Sequence, residues 1–191
     1  LAVQDGAAPV EPLERDGRRY EVVGRPGHMS VRVRDPRARA LREFPGIPYF
    51  EIDPRWRLSC RFEPLDPPAV EMVPRTDGVD LPTPRVGTAR FELDGGPHAL
   101  AVYHEDSSGR WYIPFSDATS GQETYGAGRS LYVEPPAPGE PLVIDFNLAF
   151  NLPCAFNWLV ACPVPPAHNR LAIAVRAGER TPPWSAPLEE P

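Results

Sequence analysis

The sequence has no lysine, so all 20 of its basic residues are arginine. The codon usage of a GC-rich genome explains this more simply than selection for anion recognition, although the planar arginine side chain does suit carboxylate and phosphate groups. Acidic residues outnumber basic ones and give a formal net charge of -6. This charge argues against nucleic acid as a partner.

Long apolar runs and cysteine are scarce as well. No segment approaches the roughly 18 apolar residues of a membrane-spanning helix, so we predict no membrane association. The three cysteines, Cys60, Cys154 and Cys162, form no C-x-x-C pair. Their odd number favours reduced thiols and a cytoplasmic location, with a Cys154–Cys162 bridge as the alternative. No cysteine or histidine pair has the spacing of a zinc site, so we predict no metal and no cofactor.

Proline, in contrast, is abundant: the 191 residues include 27 prolines, spread along the chain without a period. Proline disfavours helix interiors, and this distribution fits short strands joined by rigid turns. The sequence therefore predicts a mainly β fold, an antiparallel β-barrel or β-sandwich of about ten short strands with one or two short helices. We expect a single domain over residues 18–180, between a loosely structured segment 1–17 and a flexible tail 181–191.

Local patterns place some of these elements. Asp35-Pro36 predicts the start of a helix of two to three turns. Residues 64–84 hold several prolines and are predicted to form a long surface connection. Two turn sequences within residues 85–117 predict a three-stranded antiparallel meander, with Asp94-Gly95 at its first turn. Alternation of apolar and polar residues predicts further strands over 19–24, 29–34, 56–63, 131–133, 142–146 and 171–176.

Candidate functional residues concentrate between Pro114 and Glu179, where polar side chains are mixed with aromatics, glycines and prolines. Buried polar side chains are costly unless they are hydrogen-bonded, so the mixture predicts a specific network, a pocket, or both. We predict the ligand contacts to be Thr119, Tyr125, Arg129, Asp145, Asn147, Asn151 and Asn157.

Two carboxylates and one thiol are the candidates for catalysis. Asp117 and Glu123 can divide acid and base roles if their environments differ. The alternative is that Asp117 and Thr119 bond the backbone of a tight turn while Glu123 pairs with Arg129. Cys154 is a candidate nucleophile with His168 as its base, and a buried structural cysteine is the simpler interpretation.

Glycines and amides in the same stretch admit two interpretations each. Gly121, Gly126 and Gly128 can shape an array of backbone N–H groups that binds an anion together with Arg129, or they can simply allow a tight connection between strands. The asparagines after residue 145 can contact a ligand, or they can brace irregular backbone. Aromatic residues, Trp158 among them, would supply the apolar walls of a pocket.

Six blocks of this sequence form a recognisable pattern: R-V-R-D-P at 32–36, F-P-G-I-P-Y-F at 44–50, P-F-S-D-A-T-S-G-Q-E-T-Y-G-A-G-R at 114–129, D-F-N-L-A-F-N-L-P-C-A-F-N at 145–157, C-P-V-P-P-A-H-N-R-L at 162–171 and A-G-E at 177–179. With these blocks the chain resembles the DUF1684 proteins of bacteria and archaea, a family named for having no assigned function. The resemblance covers about residues 28–180 and implies a soluble, β-rich bacterial protein without implying a reaction. Ser130, Phe150 and His168 depart from the residues expected there.

These observations predict a protein that binds a small polar or anionic ligand in a pocket built from residues 114–170. A hydrolase or transferase that uses Asp117 and Glu123, or Cys154, in the same pocket is the first alternative. A structural or interaction domain without a ligand is the second. The sequence gives no indication of the oligomeric state.

Overall fold

The structure is a computed structural model that describes residues 11–25, 28–105, 108–157 and 160–183. The chain divides into two compact units, residues 1–45 and 46–191. The expectations for residues 1–10, Trp158 and residues 184–191 lie outside the described part, and the predicted domain limits stay predictions. In the described residues the strands are β1 Leu13–Arg15, β2 Arg18–Arg25, β3 His28–Arg34, β4 Arg57–Val73, β5 Leu81–Leu93, β6 Gly96–Glu105, β7 Arg110–Phe115, β8 Arg129–Val133 and β9 Leu142–Asp145.

The first unit contains an antiparallel sheet in the order β1-β2-β3. Tyr20 pairs with Val33 and Val22 pairs with Val31, so these apolar residues share one face of the sheet. Glu21 lies on the opposite face, where it forms ion pairs with Arg19, Arg32 and Arg34. The strands predicted from alternation over 19–24 and 29–34 are thus confirmed.

The predicted helix of this unit is much shorter than expected. Helix α1 spans only Arg39–Arg42, and none of its residues is buried. Asp35 does not cap it, because the Asp35 carboxylate accepts the Arg37 N–H (2.8 Å) in a separate turn. Without a packed face, a longer helix lacks the tertiary contacts that usually stabilise one. No helix of the described residues is long and apolar enough to cross a membrane.

The second unit is built on a six-stranded antiparallel sheet in the order β8-β7-β6-β5-β4-β9, which curls into a nearly closed barrel. The predicted mainly β fold is confirmed. The predicted meander is also present as β5, β6 and β7. Asp94 and Gly95 form its first turn with positive φ angles of 51° and 77°, as a two-residue hairpin turn requires.

Alternating residues of the barrel strands point inward and form the core. Phe146 lies at its centre and makes edge-on ring contacts with Trp56, Phe91 and Phe115 at centroid distances of 6.3, 6.1 and 5.1 Å. Such aromatic arrangements add to the stabilisation that burial itself provides. The predicted strand over 56–63 contributes Trp56, Leu58, Cys60 and Phe62 to this core.

The long connection predicted over residues 64–84 is wrong. β4 continues through Val73 and pairs with β5 from Leu81 onward, leaving only residues 74–80 as the connection. β9 pairs with β4 only from Arg57 to Cys60, so the later part of β4 lacks a second neighbouring strand. Prolines are tolerated on such an edge, and the register shift between Pro64 and Ala69 accommodates them as a bulge.

The strand predicted over residues 171–176 is also wrong, because this segment is irregular. Its first residues bond the backbone that follows β7, where the Leu171 N–H donates to the Ser116 carbonyl (2.8 Å) and the Ile173 carbonyl accepts from the Ala118 N–H (2.9 Å). Its later backbone groups bond side chains. The Val175 N–H donates to Asp117 Oδ1 (3.2 Å), and the Val175 carbonyl accepts from Arg129 Nη2 (2.9 Å). The alternation of apolar and polar residues is the same whether a backbone segment bonds distant groups or a neighbouring β-strand. The sequence pattern therefore could not distinguish the two.

Candidate functional site

Asp117 follows β7 and organises a tight turn. Its Oδ1 accepts from the Thr119 N–H (2.7 Å) and from the Thr119 hydroxyl (2.6 Å). The Thr119 hydroxyl also lies 2.8 Å from the Thr124 hydroxyl, across the turn. This is the local arrangement that the structural alternative predicted for Asp117, with Thr119 buried inside it.

Arg129 begins β8 and is 1% exposed, which is exceptional for arginine. Its Nη2 donates to Asp117 Oδ2 (3.0 Å). Its remaining donations cross to the irregular segment, where the carbonyls of Val175, Ala177 and Glu179 accept them. Burial lowers the pKa of Arg129, while the adjacent Asp117 acts in the opposite direction. Arg129 therefore ties the end of the barrel to the segment 175–179.

Glu123 is separate from this pair. It accepts from Arg176 Nε (2.9 Å) at a partly exposed position. The predicted Glu123–Arg129 pairing is therefore wrong, since Asp117 occupies that role. No described contact joins the two carboxylates that were predicted to share acid and base functions.

Close backbone approach explains Gly128, the residue before Arg129. Gly128 has a φ of +88°, and a Cβ there would lie 2.7 Å from the Phe115 carbonyl oxygen and 2.6 Å from Pro165. Only glycine fits such a position. Because the Arg129 guanidinium points at protein carbonyls and Asp117, the observed contacts favour the tight connection over the anion-binding array.

A second buried polar group lies beside Arg129. The Glu179 carboxylate accepts from the Asn151 N–H (2.6 Å) and from the Tyr49 hydroxyl (2.8 Å), and it raises the pKa of Tyr49 by that hydrogen bond. The Asn151 side chain donates to the Arg180 carbonyl (2.8 Å). Glu179 was missed by sequence reasoning, although the closing A-G-E motif contained it.

Gly178 makes this corner possible and supports a stability prediction. It has a φ of +73°, and a Cβ would lie 2.5 Å from the Ala149 carbonyl oxygen and 2.8 Å from that of Phe146. We expect Gly178→Ala to cost about 2 kcal/mol more in unfolding free energy than Gly139→Ala, because of overpacking. Gly139 has a φ of +84° but open space around it, so it isolates the steric effect. Urea unfolding of both variants measures the difference, and equal costs would contradict the role of close approach.

Asp145 and Asn147 brace a loop at the barrel end. Asn147 accepts from the Asp53 N–H (3.1 Å) and donates to the Asp53 carbonyl (3.0 Å) and to Asp145 Oδ1 (2.9 Å). Asp145 Oδ2 pairs with Arg57 (3.3 Å). The amide of Asn147 thus acts as scaffold, as one of the two interpretations predicted, whereas Asn157 is exposed.

Cys154 lies next to Cys162 and Tyr125. The Cys154 N–H donates to Cys162 Sγ (3.3 Å), and the Tyr125 hydroxyl donates to the Cys154 carbonyl (3.1 Å). His168, the predicted base for Cys154, contacts Tyr103 (3.1 Å) and Glu71 (3.4 Å) instead. All three cysteines are free thiols, and the described residues contain no cluster of three or more potential metal ligands.

A cleft of about 630 Å³ lies where β8 and β9, the two outer strands of the sheet, approach each other. We call it the seam cleft. Phe150 is hydrogen-bonded to Ser130 at its floor, with N···O distances of 3.0 and 2.8 Å. The lining residues are Arg57, Arg110, Tyr132–Pro136, Ala137, Glu140, Pro141, Val143, Asp145, Leu148 and Phe150.

Aromatic and charged groups meet in the seam cleft. The Tyr132 ring stacks on Phe150 with a centroid distance of 5.2 Å and an interplanar angle of 24°. The Arg110 guanidinium lies 3.5 Å from the centre of the Tyr132 ring. Arg57 lies at the other side of the cleft, beside Asp145.

The position of the cleft agrees only coarsely with the sequence-based prediction. Most of the lining belongs to residues 114–170, but Asp145 is the one predicted ligand residue that lines it. Arg57, Arg110 and Tyr132 were missed. They lie on three different strands, and nothing in their local sequence indicates that pairing brings them together.

The second unit is thus a nearly closed antiparallel barrel with a buried Asp117–Arg129 pair at one end and a polar cleft at its seam. The chain belongs to the DUF1684 family, described as proteins of unknown function, whose family model matches residues 42–180. It is also similar to an uncharacterised protein of Haloarcula marismortui solved by NMR, with 33% identity, coverage of 82% of this chain and 85% of that chain, and a TM-score of 0.61. No curated protein matches the chain.

Proposed function

We propose that this protein binds a small anionic ligand with a planar apolar part in the seam cleft. The observation that carries the proposal is the Arg110 guanidinium on the stacked pair of Tyr132 and Phe150, in a cleft that Arg57 also lines. The volume of the seam cleft, about 630 Å³, lies within the range of small-molecule sites.

The arginines of the cleft would bind the anionic group of such a ligand, and the apolar surfaces would bind its planar part. Arg110 is exposed and lies against the Tyr132 ring, so its N–H groups remain directed to the cleft and to solvent. Guanidinium groups bind carboxylates and phosphates through paired hydrogen bonds. Glu134, Glu140 and Asp145 also line the cleft, with Asp145 paired to Arg57, and these carboxylates disfavour ligands with several negative charges.

Apolar surface comes from the rings and from the proline-rich connection between β8 and β9. Pro135, Pro136 and Pro141 form one wall. Proline restricts the backbone in the free protein, so less conformational entropy is lost when a ligand orders the wall. A planar ring would pack between this wall and the pair of Tyr132 and Phe150.

The hydrolase or transferase alternative has less support. Asp117 accepts from the Thr119 backbone and hydroxyl, from the Val175 N–H and from Arg129, so its carboxylate is used within the protein. Glu123 pairs with Arg176 away from the seam cleft. Neither carboxylate is positioned against a shared substrate space, as general acid–base chemistry requires.

Titration with 2-naphthoate, followed by amide NMR shifts, tests the proposed site. We expect shifts confined to the seam cleft and an affinity about tenfold weaker in Arg110→Gln, because one charge-assisted contact is lost. Arg90→Gln changes another exposed arginine, which pairs with Glu63 outside this cleft, and should bind as the wild type does.

A second probe separates charge from apolar contact. The cation 2-naphthylmethylamine has a similar ring system and the opposite charge, so it should bind more weakly than 2-naphthoate. Shifts that scatter over the surface, or equal affinities of Arg110→Gln and the wild type for 2-naphthoate, would overturn the proposal.

A further inference from the structure

Two of the three thiols lie in direct contact although they are eight residues apart. The Cys154 N–H donates to Cys162 Sγ (3.3 Å), so the backbone of one cysteine contacts the sulfur of the other. Cys162 is in turn held by Thr76, in the connection between β4 and β5. The Cys162 N–H donates to the Thr76 hydroxyl (3.1 Å), and the Cys162 carbonyl accepts from the Thr76 N–H (2.9 Å).

We infer that Cys154 and Cys162 are a reversible redox pair, which a hydroperoxide converts into an intramolecular disulfide. The pair lies outside the seam cleft, and the inference does not depend on the proposed ligand. A disulfide needs two sulfurs whose backbones already stand close together, and this contact supplies that condition.

The surroundings distinguish the roles of the two sulfurs. The adjacent Cys162 thiol, and to a lesser degree the Tyr125 hydroxyl, hold the pKa of Cys154 below the usual thiol value. The same contact raises the pKa of Cys162. Because the thiolate is the reactive form, Cys154 is the attacking sulfur and Cys162 the resolving one.

The chemistry balances with one hydroperoxide. The Cys154 thiolate attacks the peroxide, breaks the O–O bond and takes one oxygen, giving a sulfenic acid and, after protonation, water or an alcohol. Cys162 then attacks the Cys154 sulfur and displaces its hydroxyl, which leaves as water with the Cys162 proton. Two thiols are oxidised by two electrons, and the peroxide is reduced.

Cys60 provides an internal comparison. It is fully buried in the barrel core, and burial raises its pKa to about 12. Cys154 is 7% exposed, and its pKa is lowered instead of raised. We therefore expect Cys60 to remain a thiol when the pair is oxidised.

Intact mass spectrometry of the reduced wild-type chain during hydrogen peroxide treatment tests the inference. We expect a loss of about 2 Da, reversed by dithiothreitol, and a cross-linked peptide that joins Cys154 to Cys162. Cys60→Ala should lose the same mass at the same rate. The folded chain should form this cross-link about tenfold faster than the chain in urea, because folding positions both sulfurs.

The order of the two steps is tested with dimedone, which traps sulfenic acids. Cys162→Ala should accumulate the adduct at Cys154, and Cys154→Ala should not form one at Cys162. If Cys162→Ala fails to fold, the mass measurements on the wild type and on Cys60→Ala still show whether Cys154 and Cys162 form a disulfide. A folded wild type that keeps its mass, cross-links Cys60, or oxidises no faster than the unfolded chain would overturn the inference.

Discussion

Replacement of Arg129 by methionine is expected to lower the free energy of unfolding by about 3–5 kcal/mol, the usual cost of breaking a buried ion pair from one side. Methionine preserves much of the side-chain length but removes every donor. Asp117 then keeps a buried charge without its cation, and three carbonyl groups lose their partner. The segment 175–179 would detach from the barrel end first, since Arg129 is its common anchor.

Urea unfolding followed by circular dichroism measures this cost. Arg176→Met is the matched control, because Arg176 pairs with Glu123 at an exposed position, where such pairs contribute about 0–1 kcal/mol. The double variant Arg129→Met, Asp117→Asn should be less destabilised than the sum of the single changes, since no charge is left unpaired. Additive costs, or a small effect of Arg129→Met alone, would refute the assigned role.

Asn169→Ala is the second change with a large expected effect, about 3 kcal/mol, because it leaves several buried backbone groups unpaired. Asn169 is fully buried and stands between β6 and β7. It accepts from the Ala101 N–H (2.7 Å) and donates to the carbonyls of Ala101 (3.0 Å) and Pro114 (2.8 Å). Pro114 has no N–H to offer β6, and the asparagine amide supplies the missing partner.

The same unfolding assay tests this prediction, with Gln122→Ala as control. Gln122 carries the same carboxamide group at an exposed position, and its loss should change stability by less than about 0.5 kcal/mol. Asn169→Asp should also be costly, because the carboxylate cannot donate to the two carbonyls. If Asn169→Asp is as stable as the wild type, the donations from Asn169 to the carbonyls of Ala101 and Pro114 do not contribute to the free energy of unfolding.

The contacts of Arg129 and Asn169 change the interpretation of the polar stretch between Pro114 and Glu179. The sequence predicted catalytic or ligand-binding roles for Asp117, Arg129 and Asn151. Each instead hydrogen-bonds backbone outside the strands, at Thr119, at 175–179 and at Arg180. A sequence that mixes buried amides with glycines and prolines can thus be the signature of a braced loop cluster, because every buried carbonyl needs a donor.

Fold class follows directly from sequence periodicity. The meander, for example, could be predicted because an Asp-Gly pair such as Asp94-Gly95 readily adopts the positive φ angles that a two-residue hairpin turn requires. Local rules failed where the partner of the backbone was distant. The prolines of β4 suggested a loop, because a strand tolerates proline only where no neighbouring strand needs the missing N–H. The segment 171–176 suggested a strand, because the groups that its backbone bonds are far away in the chain.

The sequence by itself determined that this protein is mainly β, that it resembles DUF1684 and that its unusual polar residues cluster. The tertiary structure alone decided which of them meet. It paired Arg129 with Asp117 instead of Glu123, separated Cys154 from His168, and brought Arg57, Arg110 and Tyr132 together at the seam cleft. The reason is physical: periodicity is a property of neighbouring residues, whereas a site depends on strand order and register over long separations.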